Sequence, residues 1–128
     1  MYSHMMVGSN DLEKSKAFYD PLFVALGGRA GMIDPKGRLL YIHKGAFFLV
    51  TTPIDGNPAS VGNGSTIGFA VDAPEIADAW HEAGVKAGGT PIEDPPGWRE
   101  GAGMRLYLAY LRDPDGNKLC AMMRDTSS

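Results

Sequence analysis

The stretch TIGFAVDAPEIADAWHEAGVKAGG, Thr66–Gly89, places a short apolar run directly before a helical pattern. Thr66–Val71 is brief and largely apolar, which predicts a strand. Asp72 and Glu75 then form a pair like the capping box that opens many helices. Apolar side chains recur at helical spacing at Ile76, Ala79, Trp80, Ala83 and Ala87. Two glycines follow, so the stretch predicts a strand and then a helix that ends at the glycines.

The same order occurs once before, nearer the N-terminus. Tyr2–Gly8 is a short apolar run, Asn10 and Glu13 repeat the capping pair, and Gly27-Gly28 ends the helical pattern. Pro21 inside that pattern predicts a kink or a detached last turn. Four pairs lie 62 positions apart, namely Asn10 and Asp72, Glu13 and Glu75, Ala17 and Ala79, and Phe18 and Trp80. These matches predict a duplicated unit; the alternative is an α+β sandwich with two coincidentally similar helices.

Strand-like runs and turn residues fill the rest of each half. The first half adds Arg29–Ile33, Leu39–His43 and Ala46–Thr51, and the second adds Thr90–Glu93, Arg105–Arg112 and Lys118–Met123. Pro53–Gly64 and Pro95–Gly103 are rich in Gly and Pro, which predicts loops. The prediction is one domain, residues 1–128, made of two βαβββ modules at about 2–52 and 65–124 joined by a linker at 53–64.

Composition argues against several classes of function. The formal net charge is −3 and no basic stripe is present, which disfavours nucleic-acid binding. The sequence contains no run of about 18 apolar residues, so no membrane span is predicted. The N-terminus also lacks a signal-peptide pattern. Cys120 is the only cysteine, so no intrachain disulfide can form. We therefore expect a cytoplasmic protein without nucleic-acid or membrane partners.

Three stretches, taken in order, are similar to one family. They are DLEKSKAFYDPLFVALGG (Asp11–Gly28), the Thr66–Gly89 stretch, and YLAYLRDPDGNKLCAMM (Tyr107–Met123). They resemble the vicinal oxygen chelate superfamily, the glyoxalase/bleomycin resistance/dioxygenase group, and the resemblance covers residues 4 to about 123. It implies an α+β fold in which two tandem βαβββ modules form a curled mixed sheet around a cleft. In metal-using members it also implies metal ligands on the first and last strands of each module.

Carried over position by position, the family's metal-ligand places fall on His4, Leu49, Thr66 and Cys120. Metal-using members have His, Glu or Gln at three or four of these places, and here only His4 qualifies. A slip of one residue in strand register would present Ser65, Phe48 or Val50, and Leu119 or Ala121, none of which is an imidazole or a carboxylate. Because catalytic zinc usually has three protein ligands, no metal site and no cofactor is predicted. Weak divalent-metal binding through His4 stays open.

Alternation from these places predicts an apolar, sulfur-rich inner surface. Packing of the same residues into an ordinary sheet interior is the alternative. The predicted ligand-binding residues are Met6, Phe47, Leu49, Thr66, Trp98, Arg99, Tyr107 and Met122. His4 and Cys120 are the candidate catalytic residues, as a proton-transfer group and a nucleophile. Trp98 and Arg99 lie in the predicted loop, which could close as a lid. Tyr107 and Tyr110 lie on opposite strand faces, so only one of them can reach the cleft.

Three functions follow from the resemblance. The first is a metal-independent protein that binds a small organic ligand, as bleomycin-resistance proteins do. The second is a lyase or isomerase of the lactoylglutathione lyase (glyoxalase I) type, and the third is an extradiol dioxygenase, which needs ferrous iron. The missing ligands favour the first. Relatives in the family are commonly homodimers, so we also expect a homodimer.

Overall fold

The computed structural model describes residues 1–125 and confirms the predicted α+β class. The last three residues of the predicted domain lie outside the described residues. In chain order the elements are β1 (His4–Gly8), α1 (Leu12–Ala25), β2 (Met32–Ile33), β3 (Leu39–His43), β4 (Ala46–Thr51), β5 (Ile67–Ala70), α2 (Pro74–Lys86), β6 (Thr90–Pro91), β7 (Gly97–Gly101), β8 (Met104–Arg112) and β9 (Lys118–Arg124).

Each half of the chain forms its own mixed sheet. In the first sheet the strand order is β1-β4-β3-β2, with β1 parallel to β4 and the other neighbours antiparallel. In the second sheet the order is β5-β9-β8-β6, with β5 parallel to β9, and β7 also pairs with β8. The strands β1 and β4 therefore hold the same places as β5 and β9, which is the arrangement that the internal repeat predicts.

One hydrophobic core runs through both halves of the chain. The helices α1 and α2 pack against each other, and buried residues of both belong to a single cluster with one face of the sheets. The rings of Phe23 and Phe48 in the first half contact Phe69 in the second, at centroid distances of 5.7 and 5.4 Å. Such aromatic pairs contribute about 0.5–1.5 kcal/mol each beyond the area they bury. The two modules are thus joined by shared buried contacts.

A buried carboxylate joins the turn between β8 and β9 to the first module. Asp113 is 4% exposed and accepts hydrogen bonds from the Tyr19 hydroxyl at 2.5 Å and from both nitrogens of Asn117. Asp115 in the same turn accepts a hydrogen bond from the backbone N–H of Asn10 at 3.0 Å. Because a buried charge is costly unless it is hydrogen-bonded, these contacts fix the turn against α1.

The segment Pro95–Gly103, predicted as a loop, contains a strand. Gly97–Gly101 forms β7 and pairs with β8 along its whole length. Ala102 and Gly103 make the turn, with φ of 50° and 73°, the positive values that a two-residue hairpin turn requires. The prediction was wrong because two prolines and three glycines suggest a loop by composition. Pairing with β8 decides the conformation instead.

Both helices begin one residue later than the capping pairs predict. The N-cap of α1 is Asp11, whose side chain accepts a backbone N–H of the first turn. The side chain of Asn10 accepts the N–H of Ala59 instead, at 2.7 Å. The N-cap of α2 is Ala73, which makes no side-chain bond, and Pro74 follows it. Proline suits this place because its missing N–H would have no helical partner there.

The helix α1 continues through Pro21 to Ala25, so its last turn is not detached as one of the alternatives predicted. Leu22 and Phe23 follow the proline and are buried in the core. Their packing holds the turn in place despite the hydrogen bond that proline cannot make. No helix in the described residues is long and apolar enough to cross a membrane.

Two predicted strands are only two residues long. The run Arg29–Ile33 pairs only at β2, because the N–H of Gly31 donates to the Asp20 carboxylate at 2.9 Å instead of to a strand. The run Thr90–Glu93 pairs only at β6, and Glu93 has a φ of 58°, which leaves the extended region.

Candidate functional site

Each sheet has one face on the core and another turned away from it. Along β4, Phe48 and Val50 belong to the core cluster, while the buried Leu49 between them does not. Along β9, Cys120 is likewise buried and outside the cluster, although its two neighbours belong to it. Because strand side chains alternate, Leu49 and Cys120 mark the opposite faces. We call these the cleft faces; they carry Met6, Phe47 and Leu49 on the first sheet, and Leu108, Tyr110, Cys120 and Met122 on the second.

The cleft faces hold large apolar side chains that are open to solvent. Met6 is 40% exposed, Phe47 47% and Met122 38%, whereas Leu49 is buried. Flexible thioether side chains and an aromatic ring can adapt to ligands of different shape. The structure therefore brings four of the predicted ligand-binding residues to these faces.

The family's metal-ligand places do not form a metal-binding set in this chain. His4 is exposed at the start of β1, with its Nδ1 atom 2.8 Å from the Ser3 hydroxyl. Thr66 is exposed and lies just before β5, and Leu49 has no donor atom. In the part of the chain that the structure describes, no three His, Cys, Asp or Glu side chains come together as a possible metal site. The donors present do not fit a divalent ion, which needs several nitrogen, sulfur or oxygen ligands.

The Cys120 thiol is poorly placed to act as a nucleophile. Burial raises its pKa, and a hydrogen bond with Tyr110 opposes that shift. The sulfur lies 3.5 Å from the carbonyl oxygen of Ala121, and no hydrogen bond joins it to His4 among the described contacts. Because the thiolate is the reactive form, a raised pKa lowers the reactivity of this residue near neutral pH.

A charged cluster lies beside Cys120, and it includes Lys118, which the sequence did not predict as a site residue. The ammonium group of Lys118 lies 4.9 Å from the centre of the Tyr110 ring and pairs with Glu93. The guanidinium group of Arg99 lies 5.7 Å from the same ring. The register decides between the two tyrosines in favour of Tyr110, because pairing across the β8–β9 turn places it directly opposite Cys120.

Arg99 braces the chain and is not part of a lid. Its guanidinium group donates to the carbonyl oxygens of Leu108 at 3.2 Å, Asp94 at 2.8 Å and Pro95 at 2.7 Å. These bonds hold the segment before β7 against β8. The predicted lid is therefore wrong, because the segment is a paired strand and its cation is bound to main-chain oxygens.

Trp98 and Tyr107 lie on the face opposite the cleft. Their rings meet edge to face at 5.3 Å, and the Tyr107 hydroxyl donates to Asp78 of α2 at 2.6 Å. That hydrogen bond raises the pKa of Tyr107 to about 12. The guanidinium group of Arg105 covers Trp98, 4.2 Å from the ring centre. Of the two tyrosines on β8, Tyr110 is the one on the cleft side.

Neither of the other two histidines lies on the cleft faces. Burial lowers the pKa of His81 on α2, and a hydrogen bond with the Tyr110 backbone opposes that shift. His43, at the end of β3, packs beside Gly28; a Cβ atom added there would lie 3.1 Å from the imidazole Nδ1. Both side chains thus have packing roles.

A small polar cavity lies where the cleft faces meet the linker. Its volume is about 200 Å³, and its lining includes Met6, Ser60, Ser65, Asn117 and Lys118. Hydroxyl, amide and ammonium groups therefore stand beside the apolar surface. A few polar anchors at the edge of an apolar wall are typical of sites for small organic ligands.

The chain is similar to one family of proteins and to several solved structures. Residues 2–121 match the model of the Glyoxalase/Bleomycin resistance protein/Dioxygenase superfamily. A crystal structure of a glyoxalase/bleomycin resistance protein from Albidiferax ferrireducens T118 shares 56% sequence identity and a TM-score of 0.91, over 95% of this chain and 98% of that one. No curated protein matches the sequence.

Two more distant structures share the fold alone. A glyoxalase-related enzyme from Fulvimarina pelagi is 22% identical with a TM-score of 0.69, over 95% of this chain and 86% of that one. A glyoxalase/bleomycin resistance protein/dioxygenase family enzyme from Burkholderia phytofirmans PsJN is 19% identical with a TM-score of 0.70, over 94% and 95%.

Proposed function

The chain belongs to the glyoxalase/bleomycin resistance protein/dioxygenase superfamily, and from that premise we propose that it binds a small organic ligand on its cleft faces without a divalent metal ion. The observation that carries this proposal is the composition of the four ligand places, where His4 is the only residue of a type that metal-using members carry. A single imidazole cannot hold the three or four bonds that a catalytic ion needs.

The apolar side chains on the cleft faces would supply most of the binding energy. Burying a Met, Leu or Phe side chain contributes about 1.5–3 kcal/mol relative to leaving it exposed. Met6, Phe47 and Met122 have area still to bury, because each is more than a third exposed. Leu49 would form the floor between them. His4 and Thr66, both exposed, would give the ligand its polar contacts.

The arrangement supports binding better than catalysis. The raised pKa of Cys120 opposes a nucleophilic role, and its sulfur makes no hydrogen bond with His4 among the described residues. Without a metal, the glyoxalase I and dioxygenase reactions lack the centre that activates their substrates. We also propose that the protein is a single domain that works in the cytoplasm as a homodimer, since pairing would cover exposed apolar side chains.

Elemental analysis of protein purified without a histidine tag tests the metal-free proposal. We expect no stoichiometric divalent ion in wild type, and no difference in bound metal between wild type and His4→Ala. A stoichiometric ion that is lost in His4→Ala would overturn the proposal. Rapid isomerisation of a hemithioacetal after addition of nickel or zinc would favour the lyase instead.

A thermal-shift screen of small apolar compounds tests the site itself. A ligand present at about 100 times its Kd should stabilise the protein by roughly 2.7 kcal/mol. Met122→Glu should abolish the shift, because a carboxylate would enter the apolar surface, whereas Glu100→Gln outside the cleft faces should keep it. A hit that is insensitive to Met122→Glu binds elsewhere and would not support the cleft faces as the site.

A further inference from the structure

The two modules differ at the turn before their last strand, and the difference leaves an opening between them. In the second module the turn Asp113–Asn117 reaches the first module, where the side-chain amide of Asn117 donates to the Gly8 carbonyl at 3.3 Å. In the first module the turn is only Lys44-Gly45, and its contact with the second is an ion pair from Lys44 to Asp72 at 2.8 Å. These two side chains are 60% and 79% exposed, so their pairing holds the modules together weakly.

A cavity of about 310 Å³ lies beside this ion pair, between the start of β1 and the end of β5. We call it the seam pocket. Its lining includes the rings of Phe23, Phe48 and Phe69, whose centroids lie 5.4 to 5.8 Å apart. The lining also includes two basic residues, His43 and Lys44, and no acidic residue. An aromatic wall and the Lys44 ammonium group thus meet at one opening.

We propose that the seam pocket binds a small aromatic carboxylate, as a site that adjoins the cleft faces at Phe47 and Gly68, both of which line it. The volume is at the lower end of the range for ligand pockets, which limits the occupant to one or two fused rings. Phe47, which is 47% exposed, and the partly exposed Phe69 can take an aromatic guest in edge-to-face or offset contact. The carboxylate would replace that of Asp72 as the partner of Lys44, so binding exchanges one exposed ion pair for another.

Lys44 is held in a position that suits this role. Its φ is 50° and that of Gly45 is 81°, the positive pair of a tight two-residue turn. The turn fixes the Lys44 backbone at the rim while the side chain stays mostly in solvent. An anionic ligand would compete with Asp72 for the Lys44 ammonium group. Loss of the Lys44 charge should therefore weaken binding of the anion, and loss of the Asp72 charge should strengthen it.

Titration with 2-naphthoate and with the neutral 2-naphthalenemethanol, followed by chemical shifts of backbone amides, tests the proposal. Lys44→Gln should weaken naphthoate binding about threefold, the size expected of an exposed ion pair. Asp72→Asn should strengthen it by a similar factor, because it frees Lys44. Neither variant should change the affinity for the alcohol, and Lys36→Gln, in the distant β2–β3 turn, should change neither affinity.

Two further variants locate the bound probe. A Cβ atom added at Gly68 would meet nothing within 4 Å, so Gly68→Ile should fold normally and occupy the space where the seam pocket adjoins the cleft face. It should abolish binding of both probes at the seam pocket, whereas Glu100→Gln, which lies outside both sites, should leave both affinities unchanged. Equal affinity for the two probes in wild type, the absence of saturable binding, or unchanged binding in Gly68→Ile would each overturn the proposal. The metal analysis and the thermal-shift screen test the cleft faces independently.

Discussion

Replacing Tyr19 by phenylalanine removes one hydroxyl group from the centre of the molecule and leaves the ring in place. That hydroxyl donates to Asp113 at 2.5 Å, and Tyr19 and Asp113 are 0% and 4% exposed. A hydrogen bond to a charged acceptor contributes about 1.5–3 kcal/mol when water cannot replace it. We therefore expect Tyr19→Phe to lower the free energy of unfolding by about 2 kcal/mol, and Tm by roughly 8 °C.

Tyr41→Phe is the matched control for this loss. The Tyr41 hydroxyl donates to Asp20 at 2.6 Å, but the Asp20 side chain is 24% exposed and also pairs with Lys16. Water can replace the lost donor there, so the cost should be about 1 kcal/mol or less. Urea unfolding followed by circular dichroism measures both variants. If the two substitutions lower the free energy of unfolding equally, or if Tyr19→Phe does not lower it, the buried hydrogen bond from Tyr19 to Asp113 does not stabilise the fold.

The stability difference between wild type and Tyr19→Phe should also depend on pH, in a direction that the pKa of Tyr19 defines. Burial, the largest cause, and the charge of Asp113 raise the pKa of Tyr19 well above its usual value of 10. A tyrosine whose pKa is raised by folding contributes its full stability below pH 10, because both states are then protonated. Above that pH the unfolded chain loses the proton first, so the contribution declines. The difference between wild type and Tyr19→Phe should therefore shrink as the pH rises beyond 10.

Other substitutions and probes test single features of the fold and the site. Gly89→Ala should destabilise by about 2 kcal/mol, because its Cβ would lie 2.6 Å from the Phe18 ring and 2.9 Å from a backbone oxygen, whereas Gly68→Ala should be tolerated, as unfolding curves would show. Ala102→Asn should increase the free energy of unfolding by about 0.5–1 kcal/mol and so raise Tm, since asparagine tolerates the left-handed backbone better than alanine does. The Cys120 thiol should react with dithiobis(nitrobenzoate) far more slowly in the native protein than after denaturation. Because burial raises the pKa of this thiol from its usual value of 9, its reactivity in the native protein should increase only above pH 9. Because the core is shared, calorimetry should give one unfolding transition rather than one per module.

The sequence predicts the architecture because the fold depends on patterns that recur in each module. Two strand–helix units with matched spacing and glycine stops lead directly to two sheets of the same topology. The extra strand β7 was missed because its glycines and prolines are typical of loops, while its partner strand stabilises it. The N-cap positions were one residue off because Asn10 and Asp72 use their side chains elsewhere, on Ala59 and Lys44.

The candidate site was only partly predictable. Alternation along β4 and β9 correctly separates core from cleft residues, so Leu49 and Met122 could be placed from the sequence. Alternation alone cannot choose between Tyr107 and Tyr110, because that choice requires the register across the β8–β9 turn. The hydrogen-bond partners of Arg99 could not be predicted from the sequence, because they are main-chain oxygens whose positions depend on the whole hairpin.

The faces of the strands explain how the fold can persist while the residues at the family's metal-ligand places differ. On β4, Phe48 and Val50 hold the shared core, and Leu49 between them faces away from it. A change of donor atoms at Leu49 or Cys120 therefore leaves the packing of the helices intact, and the stability carried by Asp113 and the aromatic cluster is unaffected. Similarity of fold therefore depends on the residues of the core face. The chemistry must be read from the other face, where the side chains of this chain favour contact with an apolar ligand over coordination of an ion.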